Sequence, residues 1–392
     1  MTSWQGYKSQ FRILTPPPGR FPGNQKVRKL KMSTLTQASA QWANRPAEER
    51  FLSLPEMHAA MEMRRAISRA ATVSSRQLRA VPADDNQGLV IEGPNGHGYA
   101  PTHWAMGQAS QLVGAPGAYL RGLPAPLAAD CLNYGFQVER DAKDIGVLLT
   151  KNGTSELRAV TGPNYGRIWD GDVVAALIDR FGDGVTGDWR VPGTWGQALD
   201  SVTRDNTTLF AGDRDCFIFL ADEINRIELP GRRDGKTGEL ARGFFVTNSE
   251  VGGGALKLKT FLFDFVCANR IVWGAHELDE ISIRHTASAP DKFIDQVTPA
   301  LLEYSRSSAA TVSTVLRTAQ VSKIDKVDKF LATRFGPRVA AKIQHAHILD
   351  EGRPIETVWD AVTGATAHAR TIPWQSDRVE FETLAGAMLD AV

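Results

Sequence analysis

The chain has few cysteines and no long apolar run. Its three cysteines, Cys131, Cys216 and Cys267, are widely spaced and odd in number, which argues against a disulfide framework and for a reducing compartment. No stretch reaches the roughly 18 consecutive apolar residues of a membrane span. The first eight residues, MTSWQGYK, lack the apolar core of a secretory signal. We therefore expect a cytoplasmic protein with no membrane partner.

The motifs that hold phosphates, cofactors and metals are also missing. Gly252-Gly253-Gly254 lacks the Lys-Ser/Thr pair that ends a phosphate-binding loop. No Cys-x-x-Cys pair and no His-Glu-x-x-His motif is present. His345 and His347 fall in a helical pattern, where residues two apart do not share a face. We expect no cofactor and no metal site.

Acidic residues are absent from the first 47 residues. Residues 1–80 hold 14 Lys and Arg against 4 Asp and Glu, and the rest of the chain holds 31 against 40. Prolines at 16–18 and 22 exclude a helix, so residues 1–47 are predicted to form a flexible basic arm. Such an arm contacts phosphates or docks on the acidic body of its own protein. Four cations cluster in it: Lys26, Arg28, Lys29 and Lys31.

The remaining chain is predicted to form an α+β core over residues 48–290 and a mainly helical part over 291–392. Asn152-Gly153 between two apolar runs indicates a β-hairpin. Strands in hairpin spacing, with helices grouped before and after them, favour an α+β fold with a central antiparallel sheet. Residues 81–100 are rich in turn residues and are predicted to be a loop.

A helix that starts at Pro55 is predicted to carry three arginines on the face opposite its apolar residues. These are Arg64, Arg65 and Arg69. With the basic arm, this face predicts binding of nucleic acid, and single-stranded nucleic acid is the expected form.

The triplet Asn248-Ser249-Glu250, which follows an apolar strand, is the strongest candidate for a ligand loop. The three glycines after it would let the backbone approach a ligand closely. The alternative is a strand-to-helix junction, because residues 254–273 are long and apolar enough for a helix. Asn248 or Ser249 would then cap that helix, with Glu250 near its N-terminus. In the same segment Cys267 is predicted to be a core residue, and Asn269 is predicted to contact the ligand together with the loop residues Asn248, Ser249 and Glu250.

Five segments carry a resemblance to a known family: LRAVTGPNYGRI at 157–168, GFFVTNSEVG at 243–252, FVCANRIV at 265–272, IRHT at 283–286 and EFETLAG at 380–386. Together they resemble the phage/plasmid-like family of proteins with domain of unknown function 932. The resemblance covers roughly residues 60–390 and leaves the basic arm outside. It implies a mobile genetic element in a bacterial host cell, where single-stranded DNA is a common partner, and it implies no settled activity.

Further residues suit contact with nucleic acid. Tyr165 and Trp169 flank Arg167 in a Gly/Pro-bounded turn, an arrangement that suits base stacking with a phosphate contact, or the packing of a strand end. The additional cations expected to contribute are Lys257, Lys259 and Arg284; Lys257 and Lys259 share a face only if their segment is extended.

Two other functions are compatible with the sequence. In the first, an enzyme, Asn248, Glu250, Asn269 and His285 would converge in one cleft, with Glu250 or His285 as the general base. The second is a non-catalytic assembly protein that forms a homo-oligomer through its helical C-terminal part.

Overall fold

The computed structural model describes most of the chain after the basic arm. The described residues are 46–84, 88–138, 142–152, 154–192, 202–205, 207–229, 238–264, 269–271, 281–306, 310–373 and 375–392. The arm cations at positions 26, 28, 29 and 31, and Cys267, lie outside them.

The strands alternate with helices in the first half of the chain, and helices follow them in the second. The strands are β1 Arg50–Phe51, β2 Ser68–Ser74, β3 Arg79–Pro82, β4 Leu89–Glu92, β5 Gly98–Pro101, β6 Asp144–Asn152, β7 Thr154–Thr161, β8 Trp189–Arg190, β9 Leu209–Ala211, β10 Cys216–Asp222, β11 Ile227–Leu229, β12 Gly238–Asn248, β13 Leu256–Asp264, β14 Asn269–Ile271 and β15 Ile281–Ile283. The α-helices are α1 Leu54–Ala66, α2 His103–Leu112, α3 Gly117–Arg121, α4 Ala125–Val138, α5 Asp170–Phe181, α6 Ala289–Lys292, α7 Thr298–Arg306, α8 Ala310–Val321, α9 Val327–Phe335, α10 Pro337–Glu351, α11 Val358–Ala369 and α12 Gln375–Gly386.

A nine-stranded sheet is built around the long strands β10, β12 and β13. Its main path runs β1-β9-β10-β12-β13-β14, with β8, β11 and β15 paired alongside, and all its pairs are antiparallel. Alternate residues of these strands point to opposite faces. On one face Ile218, Phe244 and Leu258 pack with helices α1, α5 and α7. On the other face a cluster that includes Phe219 and Phe245 is buried.

The C-terminal helices pack on the same sheet, at the end where β11 and β14 lie. Trp359 of α11 and Leu316 of α8 share one apolar cluster with Leu240 of β12 and Ile271 of β14. The helix α11 starts with a capping box, in which Thr357 and Asp360 each accept from the other's backbone N–H. No helix among the described residues combines the length and apolar character needed to cross a membrane.

A six-stranded sheet forms the second layer, in the order β2-β6-β7-β5-β4-β3. Its pairs are antiparallel except β5 with β7, which is parallel. Helices α2 and α4 bury Met106, Leu132 and Phe136 against it. The hairpin predicted at Asn152-Gly153 is confirmed by the β6–β7 ladder, and the α+β class is confirmed as well.

Three predicted elements are wrong. Residues 254–273 contain β13 in place of a helix, because Leu256 and Leu258 face the core while Lys257 faces out, which is period two. The expected loop over 81–100 contains β4 and β5, so its turn residues mark hairpin turns. The helix from Pro55 ends at Ala66, and Arg69 lies in β2, where pairing with β6 overrides the helical pattern.

Candidate functional site: an arginine–carboxylate cluster

The turn between β12 and β13 carries Glu250 into the interior, where its carboxylate has three partners. Oε2 accepts a hydrogen bond from Nη2 of Arg158 at 2.9 Å and lies 3.6 Å from Nη2 of Arg64. Oε1 accepts from the backbone N–H of Asp170 at 3.0 Å. Asp170 is the first residue of α5, so Glu250 places negative charge at the positive end of that helix.

The Asp170 carboxylate completes the group. Its Oδ2 accepts from Nη2 of Arg64 at 2.8 Å, and its Oδ1 accepts from Nδ2 of Asn248 at 2.8 Å. We call Arg64, Arg158, Asp170 and Glu250 the Arg–carboxylate cluster. The side chain of Arg64 is one-fifth exposed, and the other three are at most 4% exposed. The four residues come from α1, β7, α5 and the β12–β13 turn, so the cluster ties the six-stranded sheet to the nine-stranded one.

Arg158 reaches the cluster because β7 carries a bulge. Leu148 pairs with Ala159 and Leu149 pairs with Leu157, so Arg158 is the extra residue. A bulge re-aims side chains that regular alternation would send elsewhere. It places Arg158 on the face of β6 that carries Leu148, and Nη1 also donates to Ser68 Oγ at 3.2 Å.

The two carboxyls of the cluster have opposite pKa shifts. Burial, and then the charge of Glu250, raise the pKa of Asp170 to about 7, against the favourable charge of Arg64. Burial alone would raise the pKa of Glu250, but the charges of Arg64 and Arg158 outweigh it and hold that pKa below its ordinary value. Near neutral pH, Glu250 is therefore the ionised member and Asp170 is the one that exchanges a proton.

Tyr165 and Arg167 fasten the β12–β13 turn from outside. The hydroxyl of Tyr165 donates to the Ser249 carbonyl at 2.6 Å and accepts from the Gly252 N–H at 3.0 Å. Nε of Arg167 donates to the carbonyl of Glu250 at 2.8 Å. The turn that was predicted to meet a ligand is thus held by side chains of the protein itself.

Close packing requires glycine at two positions of this region, 166 and 253, and backbone conformation favours it at 252. Gly252 has φ +83°, which a residue with a side chain rarely adopts. A Cβ on Gly253 would lie 2.9 Å from Arg214 Cγ. A Cβ on Gly166 would lie 1.8 Å from the Thr286 carbonyl oxygen, so only glycine fits there. Gly254 has no atom within 4 Å of its Cβ position.

His285 stacks on the Tyr165 ring, with 4.9 Å between ring centroids, and its Nδ1 lies 3.0 Å from the Gly166 carbonyl. Because a carbonyl only accepts, Nδ1 carries the proton. Burial, aided by the charge of Arg167, lowers the pKa of His285 although the Gly166 contact favours the charged form. His285 is therefore neutral at pH 7. Among the described residues no hydrogen bond joins it to Glu250.

The four residues predicted to form an enzyme cleft do not all meet. Asn248 and Glu250 are buried side by side, and Nδ2 of Asn248 also donates to the Ile168 carbonyl at 2.9 Å. The backbone of Asn269 pairs with Asp264, whereas Glu250 lies near Leu256 at the other end of β13. Eight residues of strand separate these ends by about 26 Å. The predicted convergence with Asn269 is therefore wrong.

Arg158 and Asp170 were missed by the sequence reasoning. Arg158 lies within a recognised strand, and only the bulge directs it inward. Asp170 stands at a helix start, where exposed acids are usual, so its position in the sequence gave no sign that it is buried.

The predicted nucleic-acid residues fall into two groups. Arg64, Arg65, Tyr165, Arg167 and Trp169 interact within the protein. Lys257, Arg284 and Arg69 are exposed, and Lys259 is partly buried on the same face of β13 as Lys257.

One family model matches the chain, and it covers residues 204–376. No curated protein and no solved structure matches. Glu250 lies inside the matched segment, whereas Arg64, Arg158 and Asp170 precede it, so the cluster joins the matched segment to the part before it. The matching model is that of a domain of unknown function, DUF932, and residues 204–376 lie within the roughly 60–390 that the sequence resemblance covered.

Proposed function

We propose that the protein binds nucleic acid, with single-stranded DNA as the first candidate, as a phage or plasmid protein in the bacterial cytoplasm. The observation that carries the proposal is the charge asymmetry of the arm, where residues 1–47 hold eight Lys and Arg and no Asp or Glu. Such clustered cations attract a phosphate backbone of any sequence. The arm cations, which lie outside the described residues, remain its main contributors: Lys26, Arg28, Lys29 and Lys31.

Exposed cations near the end of the nine-stranded sheet support the proposal. Lys257 of β13 pairs with Ser282 of β15, and Arg284 follows two residues later. Arg284 is the first residue after β15, whose last residue, Ile283, pairs with Leu256, so both cations lie at the same corner of the sheet. Both side chains are exposed. This pair gives a phosphate backbone a second contact region beyond the arm.

Three arginines are left out of the phosphate-binding set because their guanidinium groups are engaged. Arg64 bonds Asp170 and the Gly212 carbonyl. Arg65 forms a 2.7 Å ion pair with Asp172, and Arg167 bonds Glu250. The proposal therefore rests on the arm and the sheet edge, and not on an arginine-rich helix.

Base stacking by Tyr165 and Trp169 also falls outside the proposal. Tyr165 stacks on His285, and Trp169 has the guanidinium carbons of Arg65 and Arg167 at 5.1 and 5.5 Å from its ring centre. These contacts occupy the ring faces that a base would need.

A fluorescence-polarisation titration of the full chain with labelled oligo-dT tests the proposal. We expect affinity to fall steeply with salt, with a log–log slope of roughly −0.7 for each phosphate contacted. Changing the four arm cations to Gln should make that slope shallower by the equivalent of several phosphate contacts. The double change Lys257→Gln and Arg284→Gln should make it shallower by the equivalent of about two. Arg79→Gln and Lys342→Gln serve as the matched control pair, because Arg79 lies in the six-stranded sheet and Lys342 is exposed on α10 among the C-terminal helices.

Affinity that does not respond to salt would overturn the phosphate-contact proposal. Unchanged binding by the arm variant would remove the arm from it. Equal binding of double-stranded and single-stranded probes would contradict the preference for single strands. Assembly through the C-terminal helices stays a separate prediction, and light scattering on the full chain tests it, because a monomer at all concentrations would contradict it.

A further inference from the structure

The six-stranded sheet encloses a cavity of about 660 Å³ that no part of the proposed function uses. Strands β2 and β4 are not neighbours in this sheet, yet residues from both line the cavity, so the sheet curls around it. The floor is apolar and includes Leu78, Ile91, Tyr99, Val147 and Leu157, which are all buried. Ligand sites of proteins span roughly 300–1,000 Å³ and are mainly apolar, so the size and lining suit a small molecule.

The rim of the cavity differs from the floor. Ile67, Arg69, Pro94 and Asn95 line it and are exposed. Pro94 and Asn95 belong to the turn between β4 and β5, which faces β2 across the opening. Arg69 forms no ion pair with any described residue, so its guanidinium is available to a ligand at the mouth.

Strand alternation explains why Arg69 lies on the same face of the sheet as the apolar residues that line the cavity. Arg69 pairs with Leu149, and Ala71 pairs with Val147, so these four side chains share the face of the sheet that lines the cavity. Ser68, the first residue of β2, also lines the cavity, and its Oγ accepts a hydrogen bond from Arg158 of the Arg–carboxylate cluster.

We propose that this cavity binds a small amphipathic carboxylic acid, with its apolar body on the floor and its carboxylate on Arg69. A charged guanidinium prefers a carboxylate over a neutral head group, because charge-assisted hydrogen bonds are the stronger ones. A nucleobase fits less well, because the edge of a base carries several polar groups, whereas the floor consists of Tyr99 and apolar side chains. The site is distinct from the sheet edge that carries Lys257 and Arg284.

Isothermal titration calorimetry on the full chain tests this, with decanoate as the probe and decanol as its neutral counterpart, both below micelle-forming concentrations. We expect saturable binding of one decanoate per chain, tighter than that of decanol. Arg69→Gln should weaken decanoate about tenfold or more and leave decanol unchanged. Arg79→Gln is the matched control, because Arg79 is a well-exposed arginine of the same sheet outside the cavity lining.

Ala71→Trp tests the cavity itself, because it fills the space with a side chain that strands accept. Binding of both probes should be lost, with the melting curve as the check on folding. If Ala71→Trp does not fold, Arg69→Gln still tests the proposal, because Arg69 is exposed. The proposal is overturned if decanoate does not saturate, if Ala71→Trp folds and binds normally, or if Arg69→Gln leaves decanoate binding unchanged.

Discussion

Glu250 accepts a hydrogen bond from the backbone N–H of Asp170 across 80 positions of sequence, at 3.0 Å. The Glu250 carboxylate therefore caps a helix that is distant from it in the sequence. One alternative from the sequence placed Glu250 near the N-terminus of a helix, but of a helix that would follow it directly. The helix it caps is α5, and the residue after its own turn begins a strand.

Glu250→Gln should destabilise the protein by about 3–5 kcal/mol, since it leaves Arg158 and Arg64 without their shared anion. The amide oxygen can still accept from the Asp170 N–H, so the change isolates the charge. Urea unfolding measures the loss. Glu228→Gln, at an exposed position of β11, should shift stability by less than about 0.5 kcal/mol. A loss below about 1 kcal/mol for Glu250→Gln would show that the two arginines do not depend on this carboxylate.

Asp170 should make the protein less stable as pH rises. Its folded pKa is raised to about 7 from an ordinary 3.8, so its contribution is complete below about pH 4 and is lost as pH climbs to about 7. Asp170→Asn mimics the protonated form and removes that dependence. The unfolding free energy of the native chain minus that of Asp170→Asn should therefore fall between pH 4 and 7 and level off above. A difference that is constant with pH, or that rises, would contradict the raised pKa.

Gly166→Ala should cost about 1–3 kcal/mol, because its Cβ would meet the Thr286 carbonyl oxygen at 1.8 Å and one of the two segments must move. Gly254→Ala is the matched control, since nothing lies within 4 Å of its Cβ position. Thermal unfolding of both variants makes the comparison. Equal melting temperatures would mean that the two segments separate easily.

Tyr165→Phe removes the hydroxyl that bonds the Ser249 carbonyl and the Gly252 N–H, and keeps the ring that stacks on His285. We expect a loss of about 1–3 kcal/mol, because two backbone groups lose their partner. Tyr119→Phe, at a side chain that is 63% exposed, should be close to neutral. A neutral Tyr165→Phe would indicate that water replaces the hydroxyl without cost.

The sequence was informative where a pattern is local. The β6–β7 hairpin follows from an Asn-Gly turn between apolar runs, and the period-two Leu256-Lys257-Leu258-Lys259 pattern was visible, although the length of the apolar segment favoured a helix. Contacts between distant segments were not visible. The residues around Arg64 in the sequence do not distinguish an arginine that pairs with Asp170 from one that faces solvent. Arg69 looked equivalent to Arg64 in the sequence, but its pairing with β6 places it in a strand.

The extra residue in β7 also changes how related chains should be compared. Leu157 and Val160 are three positions apart, yet both join the apolar cluster of the six-stranded sheet. A related chain with one residue fewer at this point would keep an unbroken ladder and lose the arginine, while its apolar pattern became more regular. A one-residue gap opposite Arg158 in an alignment would therefore mark relatives in which Glu250, if present, needs a different counter-ion.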